Sequence, residues 1–166
     1  MYIKCPNRLW NERTNLGKEF GKLLDQCGRL LLNENNIKEI MYLSKLRGIE
    51  KRMRAARKDN HSVIDDLLKD GANLYAIWVC KVGSKKWVLK YIGQRKDHYI
   101  RERLGQHLFH RHPRTWSQLG RVAQELQAGS RIGVSVLRVL PDELRSSIEE
   151  GLTKRNTNLW NIHNRC

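Results

Sequence analysis

Tyr75, Tyr91, Arg103, His107 and Glu149 make up the side-chain inventory that a metal-dependent phosphodiesterase needs. Hydrolysis of a phosphodiester loads negative charge onto phosphate oxygens and a leaving alkoxide. The reaction therefore demands a cation, fixed hydrogen-bond donors and a base that deprotonates water. A carboxylate is a hard-cation ligand, and a guanidinium forks onto phosphate oxygens. A phenol with an ordinary pKa of about 10 is a poor base near neutrality unless a neighbour helps it. Taken singly, a strand tyrosine is packing, and an Arg/His pair on a helix is a solvated basic edge. The case for chemistry rests on what positions these residues together.

Residues 73–95 read N-L-Y-A-I-W-V-C-K-V-G-S-K-K-W-V-L-K-Y-I-G-Q-R, taken as alternating apolar and polar side chains on both sides of a turn containing Gly83 and Ser84, which predicts a β-hairpin. With the turn centred on Gly83, position 75 falls opposite position 91, and directly opposed partners lie roughly 5 Å apart at Cβ. From Asp97 to about Arg111, Ile100, Leu104 and Leu108 recur every four residues, the seam of a helix lying on a sheet. Arg103 and His107 flank that seam at i and i+4, so they point the same way.

The order L-Y-A-I, K-Y-I-G, R-x-x-x-H, then a glutamate twelve residues before an asparagine, resembles the GIY-YIG nuclease family over residues 73–163. Tyr75 falls on the tyrosine of the first motif, with Asn73 and Leu74 in place of the Gly-Ile that names it. Tyr91, Ile92 and Gly93 form the second motif in full, Arg103 and His107 match the R-x-x-x-H, Glu149 the metal-binding glutamate and Asn161 the polar residue that closes the domain. The ending N-L-W-N-I-H looks most like the small phage endonuclease II branch and the compact restriction enzymes related to it. The resemblance implies an α/β fold, a small antiparallel sheet flanked by helices, with a third strand near residues 131–140. It also implies one Mg²⁺ or Mn²⁺ per site on Glu149, a phosphate clamp at Arg103, Tyr75 relayed by His107 as general base, and Tyr91 orienting water or phosphate.

Glu149 is distinguished from Glu143 and Glu150 by helix phase. Pro141 and Asp142 start a helix in which Leu144, Ile148 and Leu152 form the buried stripe. Glu149 and Thr153 border that stripe, whereas Glu150 points about 100° further round, toward water.

A chain of 166 residues with net charge +15 has the electrostatic footprint of a nucleic-acid binder. Positive charge is spread along it: residues 1–72 carry fifteen basic and ten acidic side chains, the remainder seventeen and seven. Residues 1–72 read as a basic helical extension for DNA contact or oligomerisation. Phe20, Leu23, Leu24, Cys27, Leu30 and Leu31 form one amphipathic segment that N-E-N-N at 33–36 breaks. In a second helix, Leu46, Ile49, Met53 and Ala56 form an apolar stripe beside Arg47, Lys51, Arg54 and Lys58, a candidate phosphate-contacting face. A third runs from Val63 to Leu68, with Gly71 as its cap. Lys90 and Arg95 are further candidate DNA contacts in the nuclease-like part, residues 73–166.

Cys5, Cys27, Cys80 and Cys166 show no C-x-x-C spacing, which leaves reduced thiols as the simpler account. His107, His110 and His112 raise a zinc alternative, but no cysteine or carboxylate has matching spacing. Residues 115–127 place Trp116, Leu119, Val122, Ala123 and Leu126 at helical intervals, ended by Gly129. With no signal peptide and no apolar run of membrane-spanning length, the expectation is a cytoplasmic protein of prokaryotic or phage origin with no membrane partner. Its expected partner is double-stranded DNA, cut by a homodimer or higher homo-oligomer because one domain offers one site. The rival is a non-catalytic nucleic-acid-binding module, RNA-binding modules included.

Overall fold

The computed structural model describes residues 2–4, 16–42, 48–110 and 118–161. Its elements are β1 (Tyr2–Lys4), α1 (Leu16–Leu31), β2 (Lys38–Ile40), α2 (Ile49–Asp59), α3 (His61–Leu68), β3 (Leu74–Cys80), β4 (Trp87–Gln94), α4 (Asp97–Leu108), α5 (Leu119–Gln127), β5 (Arg131–Leu140) and α6 (Arg145–Arg155). β3 is central, pairing antiparallel with both β4 and β5. The far edge of β5 is used twice: β2 pairs antiparallel with residues 132–134, and β1 pairs parallel with residues 138–140. The result is a mixed α/β fold.

Every residue of β3 is buried, so the expected apolar/polar alternation does not hold for this strand, which is covered on both faces. Tyr75, Ile77 and Val79 face a layer containing Met53, Ala56, Ile64, Ile100, Leu104 and Val122 from α2 to α5. Leu74, Ala76 and Trp78 face Leu23, Cys27, Ile148 and Leu152 from α1 and α6. Among the described residues, no helix is long and apolar enough to cross a membrane.

The register differs from the one a turn centred on Gly83 predicts. Tyr75 pairs with Gly93, and Tyr91 pairs with Ile77. Two causes combine. The loop occupies residues 81–86, which moves its centre half a residue beyond Gly83. The pairing then shifts between Ile77 and Trp78, which oppose Tyr91 and Leu89, leaving Lys90 as the extra residue of a bulge. Because the side-chain period of a strand is two, this one extra residue decides the face. Without it, Lys90 would oppose Ile77 and Tyr91 would turn to the α1/α6 side. The bulge puts Tyr91 on the face that carries Tyr75.

The N-terminal 72 residues are not wholly helical, since β1 and β2 complete the sheet. Short three-residue strands lack the length over which period-two alternation is visible. The N-E-N-N segment forms a 3-10 turn over Glu34–Asn36, capped by the Asn33 side chain, which accepts from Asn35 N–H at 3.0 Å. The basic helix is described from Ile49; Leu46 and Arg47 lie outside the described residues, as do His112, Trp116, Cys5 and Cys166. Gly71 follows α3 at φ +72°, its N–H donating to Leu68 O at 2.9 Å.

Asn73, which stands where the resemblance puts a glycine, is 1 % exposed. Its side chain does the work of a backbone pairing: Nδ2 donates to Val139 O at 2.7 Å, and Oδ1 accepts from Val139 N–H at 2.8 Å. Nδ2 also donates to Asp142 Oδ1 at 2.9 Å. The start of β3, one residue before Leu74 and two before Tyr75, is thereby pinned to the end of β5.

Candidate active site

Tyr75, Tyr91 and His107 form a triangle of rings, with centroid separations of 6.0 Å for Tyr75–Tyr91, 5.7 Å for Tyr75–His107 and 5.0 Å for Tyr91–His107. Tyr75 and His107 are both 0 % exposed, whereas Tyr91 is half-buried. Gly93 makes the cluster possible. A Cβ there would lie 2.5 Å from Cζ and the hydroxyl of Tyr75, inside any real contact distance.

The hydrogen bonds within this cluster have a direction. His107 Nδ1 accepts from the backbone N–H of Gln118 at 2.9 Å, so in the neutral ring the hydrogen is on Nε2. Nε2 lies 2.9 Å from the Tyr75 hydroxyl and donates to it. Burial first, and the Arg103 charge second, push the His107 pKa down to about 3. The ring is thus a neutral donor to Tyr75. It can stabilise a phenolate, and it is poorly suited to take a proton. Tyr75, receiving from His107, has its own hydroxyl hydrogen to give to Tyr91, with which it hydrogen bonds.

Both phenols are held above their ordinary pKa, chiefly by burial, and for both the Arg103 guanidinium pulls the other way. Arg103 is itself oriented from behind. Its Nη1 donates to Gln106 Oε1 at 3.1 Å, and Gln106 Nε2 donates to Glu102 Oε1 at 3.2 Å. Gln106 is buried and was not singled out by sequence reasoning. The signal available for it is its i+3 spacing from Arg103.

Glu149 reaches the site from the opposite layer. α6 packs on the α1 side of the sheet through Ile148 and Leu152, yet Glu149 lies close enough to Tyr91 to raise its pKa. The two layers meet around the outer edge of β4. There the chain after α6 doubles back along the strand, with Trp160 N–H donating to Lys90 O at 2.6 Å. Asn161 Oδ1 accepts from Ile92 N–H at 3.2 Å, and its Nδ2 donates to Ile92 O at 2.7 Å and to Glu149 Oε1 at 3.3 Å. Asn161 therefore clasps the Y-I-G strand and the carboxylate together. Glu150 is exposed and ion-paired with Lys154 at 2.6 Å.

Among the described residues no group of three or more His, Cys, Asp or Glu converges as a metal cage. The Glu149 carboxylate is compatible with Mg²⁺, which keeps several waters and takes few protein ligands. Zinc on the histidine run fits less well, because His107 commits both ring nitrogens and His110 Nε2 is turned to Glu102 Oε1 at 3.3 Å.

Of the candidate DNA contacts, Lys51, Arg54 and Lys58 are exposed on α2, whose Met53 and Ala56 pack into the same layer as the tyrosine cluster. Lys90 is the bulge residue, and its charge acts on Glu125. Arg95 is exposed, its guanidinium 5.9 Å from the Tyr99 ring centroid. Cys27 and Cys80 are buried and belong to no disulfide among the described residues. No protein-family model matches the chain, and neither the curated proteins nor the solved structures contain a significant match to it.

Proposed function

We propose that this chain is a metal-dependent endodeoxyribonuclease of the GIY-YIG kind. The observation that carries the proposal is the convergence of Tyr75, Tyr91, Arg103, His107, Glu149 and Asn161, drawn from both layers of the fold, at the outer edge of one strand. Core packing explains Tyr75 and its apolar neighbours. It does not explain a guanidinium, two phenols and a carboxylate brought within electrostatic range of one another.

Glu149 would hold one Mg²⁺ or Mn²⁺, whose charge stabilises phosphate oxygens and acidifies bound water. Arg103, braced by Gln106, forks onto the phosphate as charge develops. Asn161 keeps the carboxylate against β4. The hydrogen-bond directions favour Tyr91 over Tyr75 as the base. Tyr91 is the solvent-facing end of the chain Gln118 N–H to His107, His107 Nε2–H to Tyr75, and Tyr75 O–H to Tyr91. Each link donates outward, so a phenolate at Tyr91 gains a donor from Tyr75 and the nearby Arg103 charge. Tyr75 and His107 then act as its support. Double-strand cleavage, of a restriction or phage type, requires a homodimer or higher assembly, since each chain supplies one such site.

The test is digestion of supercoiled plasmid by the full chain in Mg²⁺ or Mn²⁺, with EDTA as the control. Glu149→Gln should abolish metal-dependent cleavage while leaving DNA binding intact or improved, and Glu150→Gln should stay active. DNA binding without cleavage in either metal would overturn the proposal in favour of a binding module.

A further inference from the structure

On the far side of α4 from Arg103 and His107, a cavity of about 220 Å³ opens between α2, α3 and α4. It is lined by Arg57, His61, His98, Arg101, Glu102 and His110, together with the apolar edges of Ile64 and Phe109. We propose that this cavity is a phosphate-binding subsite that takes a backbone phosphate of DNA away from the scissile bond; this rests on the nucleic-acid-cleaving function proposed above.

Five of the lining side chains are cationic or become so on protonation, and the acids around them are already engaged. Asp65 accepts from His61 Nδ1 at 2.8 Å and ion-pairs with Arg101. Glu102 accepts from His110 and Gln106, which together hold its carboxyl below the ordinary range. Arg57 forms no close ion pair among the described residues, although its charge helps to lower the Glu102 carboxyl. His110 Nδ1 is a buried nitrogen with no partner among the described residues, an arrangement that normally has a ligand, ion or water to account for it. A phosphate oxygen in the cavity would supply that partner by accepting a hydrogen bond from the ring nitrogen.

The cavity also has a built feature. Gly105 stands inside α4, where glycine costs about 1 kcal/mol relative to alanine. A Cβ there would come 2.9 Å from Cε1 of His110, so the missing side chain makes room for that ring at the cavity wall. Position fits a nucleic-acid source. Arg57 is three residues from Arg54 and adjoins the exposed stripe of Lys51, Arg54 and Lys58, so a backbone following α2 reaches the cavity mouth. The opposite faces of α4 thus serve two purposes: Arg103 and His107 look to the cluster at β4, His98, Arg101 and Glu102 to the cavity.

The full chain is titrated with inorganic phosphate while the histidine ring resonances are followed by NMR. His61, His98 and His110 should shift saturably, and His107 should not. Binding of a labelled DNA duplex is then measured by anisotropy in EDTA over a range of salt, so that no cleavage is needed. Arg57→Gln should weaken binding about fivefold to tenfold and reduce the log-log salt slope by about 1, the value for one lost phosphate contact. His98→Gln, at the exposed rim, should move affinity in the same direction, and circular dichroism checks that both variants are folded. Absence of any phosphate-dependent shift overturns the subsite. Saturable phosphate binding with unchanged DNA affinity and slope in both variants overturns the DNA assignment and points to a free phosphate compound. If both arms are positive and plasmid remains uncut in metal, the nuclease proposal fails while the subsite stands.

Discussion

Tyr75 and Gly93 are direct partners across β3 and β4, and a Cβ placed on Gly93 would lie 2.5 Å from the Tyr75 hydroxyl oxygen and 2.7 Å from Cε1 of Tyr91. The glycine of Y-I-G is therefore needed for space, not for an unusual backbone conformation. Its partner is a fully buried ring that cannot swing out to make room.

Gly93→Ala should destabilise the fold by about 1–3 kcal/mol, the usual cost of overpacking a filled core. It should also reduce cleavage well beyond what the fraction unfolded explains, because both phenols must move. Thermal melts together with single-turnover rates at a temperature where the variant is fully folded separate the two effects. A variant as stable and active as the parent would mean that the rings have freedom that their burial denies.

Tyr91→Phe and Tyr75→Phe should differ in severity. If Tyr91 is the base, as proposed, its loss should lower the rate by about 10²–10⁴-fold. Loss of the Tyr75 hydroxyl removes one donor to that base and should lower it about tenfold, the equivalent of one ordinary hydrogen bond. Single-turnover cleavage at matched stability measures both. The reverse order would return the base to Tyr75.

Acid should act on stability through His107. Its pKa is pushed from 6.5 to about 3 by burial and Arg103, so the unfolded chain binds the proton that the folded one refuses. The stability associated with the neutral ring is complete above about pH 6.5 and is lost as pH falls toward 3. The contribution to the slope is about 1.4 kcal/mol per pH unit in that window. Chemical denaturation of the parent and of His107→Gln at several pH values isolates it: the difference between the two should shrink steadily as the solution is acidified. A constant difference from neutrality down to about pH 4 would show that the fold does not lower the pKa of this ring.

Gln106→Met keeps volume but removes the acceptor that braces Arg103. A drop of about tenfold in kcat with little change in KM is the expected result, since the brace matters when charge develops on the phosphate. A change in KM alone would instead place Arg103 in ground-state DNA binding.

Much of the site was legible because its signals are local. The four-residue spacing of Ile100, Leu104 and Leu108 sets the seam of α4 and, with it, the shared direction of Arg103 and His107. Leu144, Ile148 and Leu152 do the same for α6, turning Glu149 inward and Glu150 to water. These follow from helix geometry alone, which a sequence carries in full. What the chain could not disclose depends on contacts between distant segments. The bulge at Lys90 changes pairing parity, and pairing is an interaction between strands, so a turn position predicts it only when neither strand holds an extra residue. The approach of Glu149 around the edge of β4 depends on Asn161 finding the backbone of Ile92, sixty-nine residues away. The proton on His107 is placed by a peptide N–H at Gln118, eleven residues on, which has no side-chain signature at all. Residue types and helical phase thus select the chemical groups, while the tertiary structure decides which of two phenols stands at the acceptor end of their hydrogen bonds, because donor direction is a property of the assembled network.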